Sequence, residues 1–225
     1  MELDKCIEKR ASYRSYTDKK VSWEDLTAIL NAARLAPSSG NLQNWSFIIV
    51  QKSETKEEIA KAALNQVWIN QAPILIVVCS RIENIKRHYG ERGKVLYSIQ
   101  NCAAAINIIL LKATDLGLAS CWINAFDEEA VKRLLKVPLG VRPQALITIG
   151  YSNDKVEKQK RYDLDILTHF EEWNGKRTEG LFPLKQHQQE IKDSISETTE
   201  VGKGIFSRIL SKFKKSKTKE PINKT

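Results

Sequence analysis

The stretch that most constrains this chain is residues 94–116, where Ile99, Cys102, Ala103, Ile106, Ile109, Leu110 and Ala113 recur at helical spacing. These positions cover much of the circumference of one helix. A helix that is apolar nearly all round belongs in the centre of a fold or in a subunit interface. No run in the chain approaches the roughly 18 to 20 apolar residues that span a bilayer, so the helix is expected inside protein. Gly117 caps it, and the rest of the molecule must be built around it.

Helices and short apolar runs alternate on both sides of this segment. Residues 2–10 read as a helix with Leu3, Cys6 and Ile7 on one side. Ser22, Trp23, Glu24 and Asp25 have the form of a capping box, opening a helix whose Leu26, Ile29, Leu30 and Ala33 recur at helical spacing. That helix must end near Ala36, because Pro37 disfavours helical geometry in the residue before it. Residues 55–64 read as a further helix, and Asp127 opens another that runs through Leu135 and stops before Pro138. Residues 47–50, 73–78, 118–123 and 145–149 are apolar runs of strand type. The alternation implies one layered α/β or α+β domain with helices covering a sheet.

Beyond Tyr151 the apolar periodicity stops. Residues 155–173 are charged, with occasional anchors at Tyr162, Leu164, Ile166, Leu167, Phe170 and Trp173, a pattern suited to an arm lying over another surface. The expected organisation is a body of residues 1–173 with its arm from about 155, a polar extension over 174–200, and a basic tail over 201–225. From about Gln186 the composition suits a poorly ordered chain.

Charge decides one class of function. The net charge is +9, yet eight basic residues and one acid from Lys203 onward carry +7 of it. The body is nearly neutral, so the high isoelectric point says little about what it binds, and no nucleic-acid partner is expected. Cys6, Cys79, Cys102 and Cys121 stand singly without a CxxC pair, which suits reduced thiols in a cytoplasmic protein. Cys79 and Cys121 lie in apolar runs and read as small buried hydrophobes. His88, His169 and His187 cluster neither with the cysteines nor with one another, so no metal site is expected. Nor does the chain contain a GxSxG elbow, a Walker loop, HExxH or GxGxxG.

Two polar stretches stand out. Arg10, Ala11, Ser12, Tyr13 and Arg14 put a hydroxyl between two guanidinium groups, whose forks of donors match phosphate oxygens. The same run also reads as a solvated helix end. Residues 36–45 (Ala-Pro-Ser-Ser-Gly-Asn-Leu-Gln-Asn-Trp) place two hydroxyls and three amides in a loop between a helix and a strand. Side-chain amides offer both donor and acceptor, the complement of a flavin or nucleobase edge. An ordinary turn uses the same residues.

In this order and spacing the two stretches resemble the nitroreductase family of flavoproteins. The resemblance continues through Asn65 and Gln66, through Leu116-Gly-Leu-Ala-Ser-Cys-Trp-Ile-Asn-Ala-Phe-Asp127, through Ile147-Thr-Ile-Gly-Tyr151, and through Lys160 and Arg161. It covers roughly residues 2–173. It implies an α+β three-layer fold, a mainly antiparallel central sheet flanked by helices, in an intertwined homodimer with FMN at the interface.

On that resemblance Arg10 and Ser12, with Ala11 between them, hold the flavin phosphate, and Arg161 on the late arm adds a further cation. Arg14 falls near the pyrimidine end, where positive charge stabilises reduced flavin. Pro37, Ser38, Ser39, Asn41 and Gln43 match the loop that reaches over from the partner subunit. Asn65 and Gln66 meet the polar edge of the ring, and Trp122, Ile123 and Asn124 match the strand end near flavin N5. The implied chemistry is a ping-pong cycle in which NADH or NADPH delivers hydride and a nitroaromatic, quinone or similar small molecule accepts it. No catalytic side chain is implied.

Two departures bear on substrate. Asn124 stands where relatives often have Gly, and Gln100 where an acid is common. The scaffold also hosts reductive dehalogenases and flavin-fragmenting enzymes, and a non-catalytic FMN-binding protein is the rival from another class. In the tail, Ile205, Phe206, Ile209, Leu210 and Phe213 fall at helical spacing among lysines and Arg208. This reads as a basic amphipathic helix that could touch an anionic membrane surface, or as a solubilising extension.

Overall fold

The computed structural model describes residues 1–157 and 159–175, and divides the chain into two units, Met1–Lys158 and Gln159–Thr225. The tail expected to form an amphipathic helix, and most of the polar extension before it, lie outside the described residues.

The first unit is built on a four-stranded antiparallel sheet in the order β1-β2-β4-β3, with β1 at Trp45–Val50, β2 at Ile74–Arg81, β3 at Ala119–Ile123 and β4 at Val141–Gly150. The central strand β2 reads as an almost unbroken apolar run because both of its faces are covered. Ile74, Ile76 and Val78 point to one core, Leu75, Val77 and Cys79 to the other. On the first face lie α2 (Trp23–Ala33) and α5 (Ser98–Asp115), contributing Leu26, Ile29, Ile106 and Ile109. On the second lie α3 (Ser53–Ala62) and α6 (Glu128–Leu135), contributing Ile59, Ala60 and Val131. This is the three-layer α+β arrangement that the resemblance implied.

Several helix ends follow from local sequence as expected. Ser22 Oγ accepts from the Asp25 amide at 2.9 Å, and Asp127 Oδ1 accepts from the amides of Glu129 and Ala130 at 2.9 and 3.0 Å. Gly117 ends α5 at φ +74°, a left-handed geometry that favours glycine, and the next amide, Leu118, bonds back to Ala113 at 2.8 Å.

Other details differ from the sequence reading. The long helix does not begin at residue 94: α4 (Ile82–Arg92) and a π turn (Gly93–Tyr97) run into α5. Only Ile82 and Ile85 of α4 are buried, too few anchors for its period to show. Gly93 is required in the turn, since a Cβ there would sit 2.6 Å from the Ile85 carbonyl oxygen. Within α5 one stripe is buried, while Ile99 is 43% exposed, so within one chain the helix is amphipathic. On α1 (Leu3–Lys9) Cys6 is buried but Leu3 and Ile7 are 66% and 52% exposed; one turn of contact suffices to dock so short a helix. All four cysteines are buried and free.

In the second unit α7 spans Leu164–Leu167, and the His169 and Trp173 rings lie 4.4 Å apart.

Candidate active site

The chain leaving α1 turns extended and lies along the edge of β3. Ser12 forms a parallel bridge with Ser120, and the Tyr13 amide donates to the Ser120 carbonyl at 3.0 Å. This contact holds the Arg10 to Arg14 stretch against the strand. Ser12 and Arg14 are exposed, while Arg10 and Ala11 are half-buried. Burial pushes the Cys121 thiol up, and the Arg14 guanidinium, the Ser12 hydroxyl and the Arg10 guanidinium pull it the other way. Among the described residues neither arginine has an acidic partner within salt-bridge distance. Two unneutralised guanidinium groups flanking a hydroxyl make a grip for a phosphate-sized anion.

The segment is anchored just beyond. The Tyr16 hydroxyl donates to the Tyr13 carbonyl at 2.9 Å and shares a 2.6 Å hydrogen bond with Thr148 of β4. Burial pushes this phenol above its ordinary range, the Thr148 hydrogen bond pulling the other way, so Tyr16 stays neutral and serves as a strut. The chain crosses the end of β4 closely at Gly150, where a Cβ would lie 2.6 Å from Pro73 Cδ and 2.8 Å from Tyr16 Cδ1. That close approach explains the glycine in Ile147-Thr-Ile-Gly-Tyr151.

At the other end of β3, Ile123 is buried, Trp122 half-buried and Asn124 exposed, with the Trp122 indole donating to Asn124 Oδ1. Asn124 is therefore turned back on its own strand. Gln66 comes close to this end, its amide donating to the Ala63 carbonyl at 2.9 Å and to Ala125 at 3.5 Å. Asn65 and Leu64 take φ +56° and +58°, a tight exit from α3 that leaves Asn65 exposed. Arg10, Ser12, Arg14, Asn65, Gln66, Trp122, Ile123 and Asn124 thus gather around one edge strand.

The loop of residues 37–43 is not part of that gathering. It leads into β1, the opposite edge of the sheet, and three strand spacings of about 4.8 Å put about 14 Å between the edges. Pro37, Asn41 and Gln43 are exposed, Ser38 and Ser39 half-buried. Gly40, Asn41 and Gln43 adopt φ +56°, +54° and +44°. For a non-glycine residue this costs about 1–2 kcal/mol, so other groups must hold the loop in shape. Ser38 Oγ accepts from the Gln43 amide at 3.1 Å, the Gln43 side chain donates to Asn41, and Arg81 donates to the Gln43 carbonyl at 2.7 Å. Arg161 belongs to the second unit and is exposed there.

Sequence reasoning missed the residues beneath these surfaces. Tyr16, Thr148 and Cys121 support the arginine stretch. Asn44, Ser80 and Asn101 form a buried chain of amides and hydroxyl under the loop. The signal available for Asn101 was its place one position from Cys102, on the buried stripe of an otherwise apolar helix.

A protein-family model described as Nitroreductase family matches residues 7–71 and 63–151. An Archaeoglobus fulgidus protein, whose name couples NADH dehydrogenase with NAD(P)H nitroreductase, is 34% identical over 176 residues, 75% of this chain and 97% of its own. A Bacillus subtilis protein named FMN reductase [NAD(P)H] is 29% identical over 209 residues, 87% of this chain and 82% of its own. Among solved structures, an FMN-dependent nitroreductase from Clostridium difficile is 31% identical, with a TM-score of 0.63 over 75% of this chain and 98% of that one. B. megaterium NfrA2 is 25% identical, with a TM-score of 0.72 over 91% and 85%.

Proposed function

Because the chain belongs to the nitroreductase family, we propose that it is a homodimeric oxidoreductase that moves hydride from NADH or NADPH to a nitroaromatic, quinone or similar small-molecule acceptor, using FMN held between its two chains. Bound FMN supplies the two-electron carrier, which donor and acceptor approach in turn in a ping-pong cycle. The observation that carries this reading is the grip on the β3 edge, where Arg10 and Arg14 flank Ser12 without a neutralising acid among the described residues.

The side chains have distinct duties in it. Arg10 and Ser12 bind the phosphate, and Tyr16 keeps their segment against the sheet. Arg14 places positive charge where the reduced cofactor is negative. Asn65 and Gln66 present amides to the polar edge of the ring, and the backbone of Trp122, Ile123 and Asn124 passes beside it. Pro37, Ser38, Ser39, Asn41 and Gln43 come from the other chain, since one chain leaves them on the far edge of its sheet. Asn124, tied to Trp122, narrows the space for the acceptor. The protein contributes binding, orientation and exclusion of water, and needs no nucleophile or general base.

The test is an absorbance spectrum of the purified chain, followed by anaerobic addition of NADH and then NADPH. A flavin band that bleaches within the mixing time is expected and identifies the donor. A flavin that stays oxidised with both would point to another electron donor or to a binding role rather than to a nicotinamide-driven enzyme. Failure to take up added FMN would overturn the reading altogether.

A further inference from the structure

The loop of residues 37–43 is fastened from beneath by one side chain of α5. The Ser39 amide and hydroxyl both donate to Asn101 Oδ1, at 3.0 and 3.2 Å. Asn101 Nδ2 donates to Asn44 Oδ1 at 2.7 Å, and Asn44 Nδ2 donates to Ser80 Oγ at 2.7 Å. Asn44 and Ser80 are fully buried and Asn101 is 4% exposed. The relay thus runs from a half-buried loop through the core to the end of β2. Its direction is set by Ser39: two donors there oblige Asn101 to turn its oxygen outward and its amide inward.

We propose that Asn101 is a positioning residue, holding the left-handed run through Gly40, Asn41 and Gln43 so that their exposed groups meet the flavin bound by the other chain. The proposal rests on the flavin reading above. The loop's internal hydrogen bonds shape it, and Arg81 and Asn84 donate to its Gln43 and Leu42 carbonyls, but Ser39 is where a buried core side chain, Asn101, holds it. A loop fixed before binding loses less freedom when ligand arrives, so the gain is felt as affinity. The Asn41 side-chain nitrogen Nδ2 and the Gln43 side-chain oxygen Oε1 have no protein partner among the hydrogen bonds of the described residues, which leaves them free for a ligand.

Asn101→Leu in the full-length protein keeps the branched shape and number of heavy side-chain atoms and removes the hydrogen bonds to both Ser39 and Asn44. FMN affinity, followed by quenching of flavin fluorescence, is expected to fall about 10-fold, with amide exchange across residues 38–43 speeding up by a similar factor. Ser80→Ala removes the far end and leaves the Asn101–Ser39 pair, so its FMN affinity is expected within about twofold of the parent whatever thermal stability it loses. If leucine prevents folding, Asn101→Ala leaves room for a water on Asn44 and serves as the same test. Unchanged FMN affinity and loop exchange at position 101 would overturn the proposal. So would losses in both variants that simply follow their melting temperatures, since that is the mark of a structural role alone. A parent chain that takes up no FMN would instead remove the flavin reading, and the proposal with it.

Discussion

Lys56 is 6% exposed, and its ammonium donates to the carbonyls of Asn70 and Ala72 at 3.0 and 2.6 Å, with burial pushing its pKa down. It closes the turn of Val67–Gln71 that follows Asn65 and Gln66. Lys56→Met leaves two carbonyls without their donor and is expected to lower unfolding free energy by about 1–3 kcal/mol in urea denaturation. Asp115 is held at about 2 by Lys112 and the N-terminal ammonium. Its folded pKa lies below its unfolded one, so the ionised carboxylate adds stability above about pH 4 that is lost as pH falls toward 2. The melting-temperature gap between the parent and Asp115→Asn is expected to close over that window, and to shrink in high salt because the half-buried carboxylate still meets solvent. At the anion grip, Arg10→Ala is expected to weaken FMN binding about 10- to 100-fold in a fluorescence titration, the loss of a charged hydrogen bond. Arg10, Ser12 and Arg14 were legible in sequence because they lie within five residues of one another. Asn101 was not, because its partners Asn44 and Ser39 stand 57 and 62 residues away.

Among the elements, legibility followed how fully a segment's apolar pattern reports its burial. The core of each of the four strands was legible from short apolar runs, and β2 most plainly, since both its faces are covered. α4 escaped because two buried isoleucines cannot set a period, and the π turn after it depends on packing of Gly93 against Ile85 rather than on any local code. Helix starts were legible wherever a side chain near in sequence closes them. Asp127 is such a case, and it also places α6 directly after the β3 end and Asn124. Asp127→Ala is expected to cost about 1 kcal/mol in thermal or urea unfolding, with the first turn of α6 exchanging its amides faster. The bidentate pair of Arg142 with Glu128, at 2.8 and 2.6 Å, ties that first turn to β4 and limits the fraying.

For the whole molecule, the sheet order separates the two halves of the candidate site. The arginine stretch, β3 and the Gln66 turn share one edge, and the Ser38–Gln43 loop leads to the other. The sequence contains both halves but says nothing of their separation, which appears only once β2 and β4 are seen to lie between them. If each site is completed across a two-fold axis, damage to one half of a chain is repairable by a neighbour whose other half is damaged. A chain carrying Arg10→Ala and one carrying a loop variant such as Gln43→Ala would each form dimers in which both sites are crippled. Unfolded together and refolded as a mixture, they are expected to regain tight FMN binding at about a quarter of all sites, because half of the randomly paired dimers collect both lesions in a single site and leave the other intact. A site completed within one chain would give no such recovery at any mixing ratio. On the proposed two-chain site, the placement of two polar segments on opposite edges of a small sheet lets the defects of one chain be complemented by another.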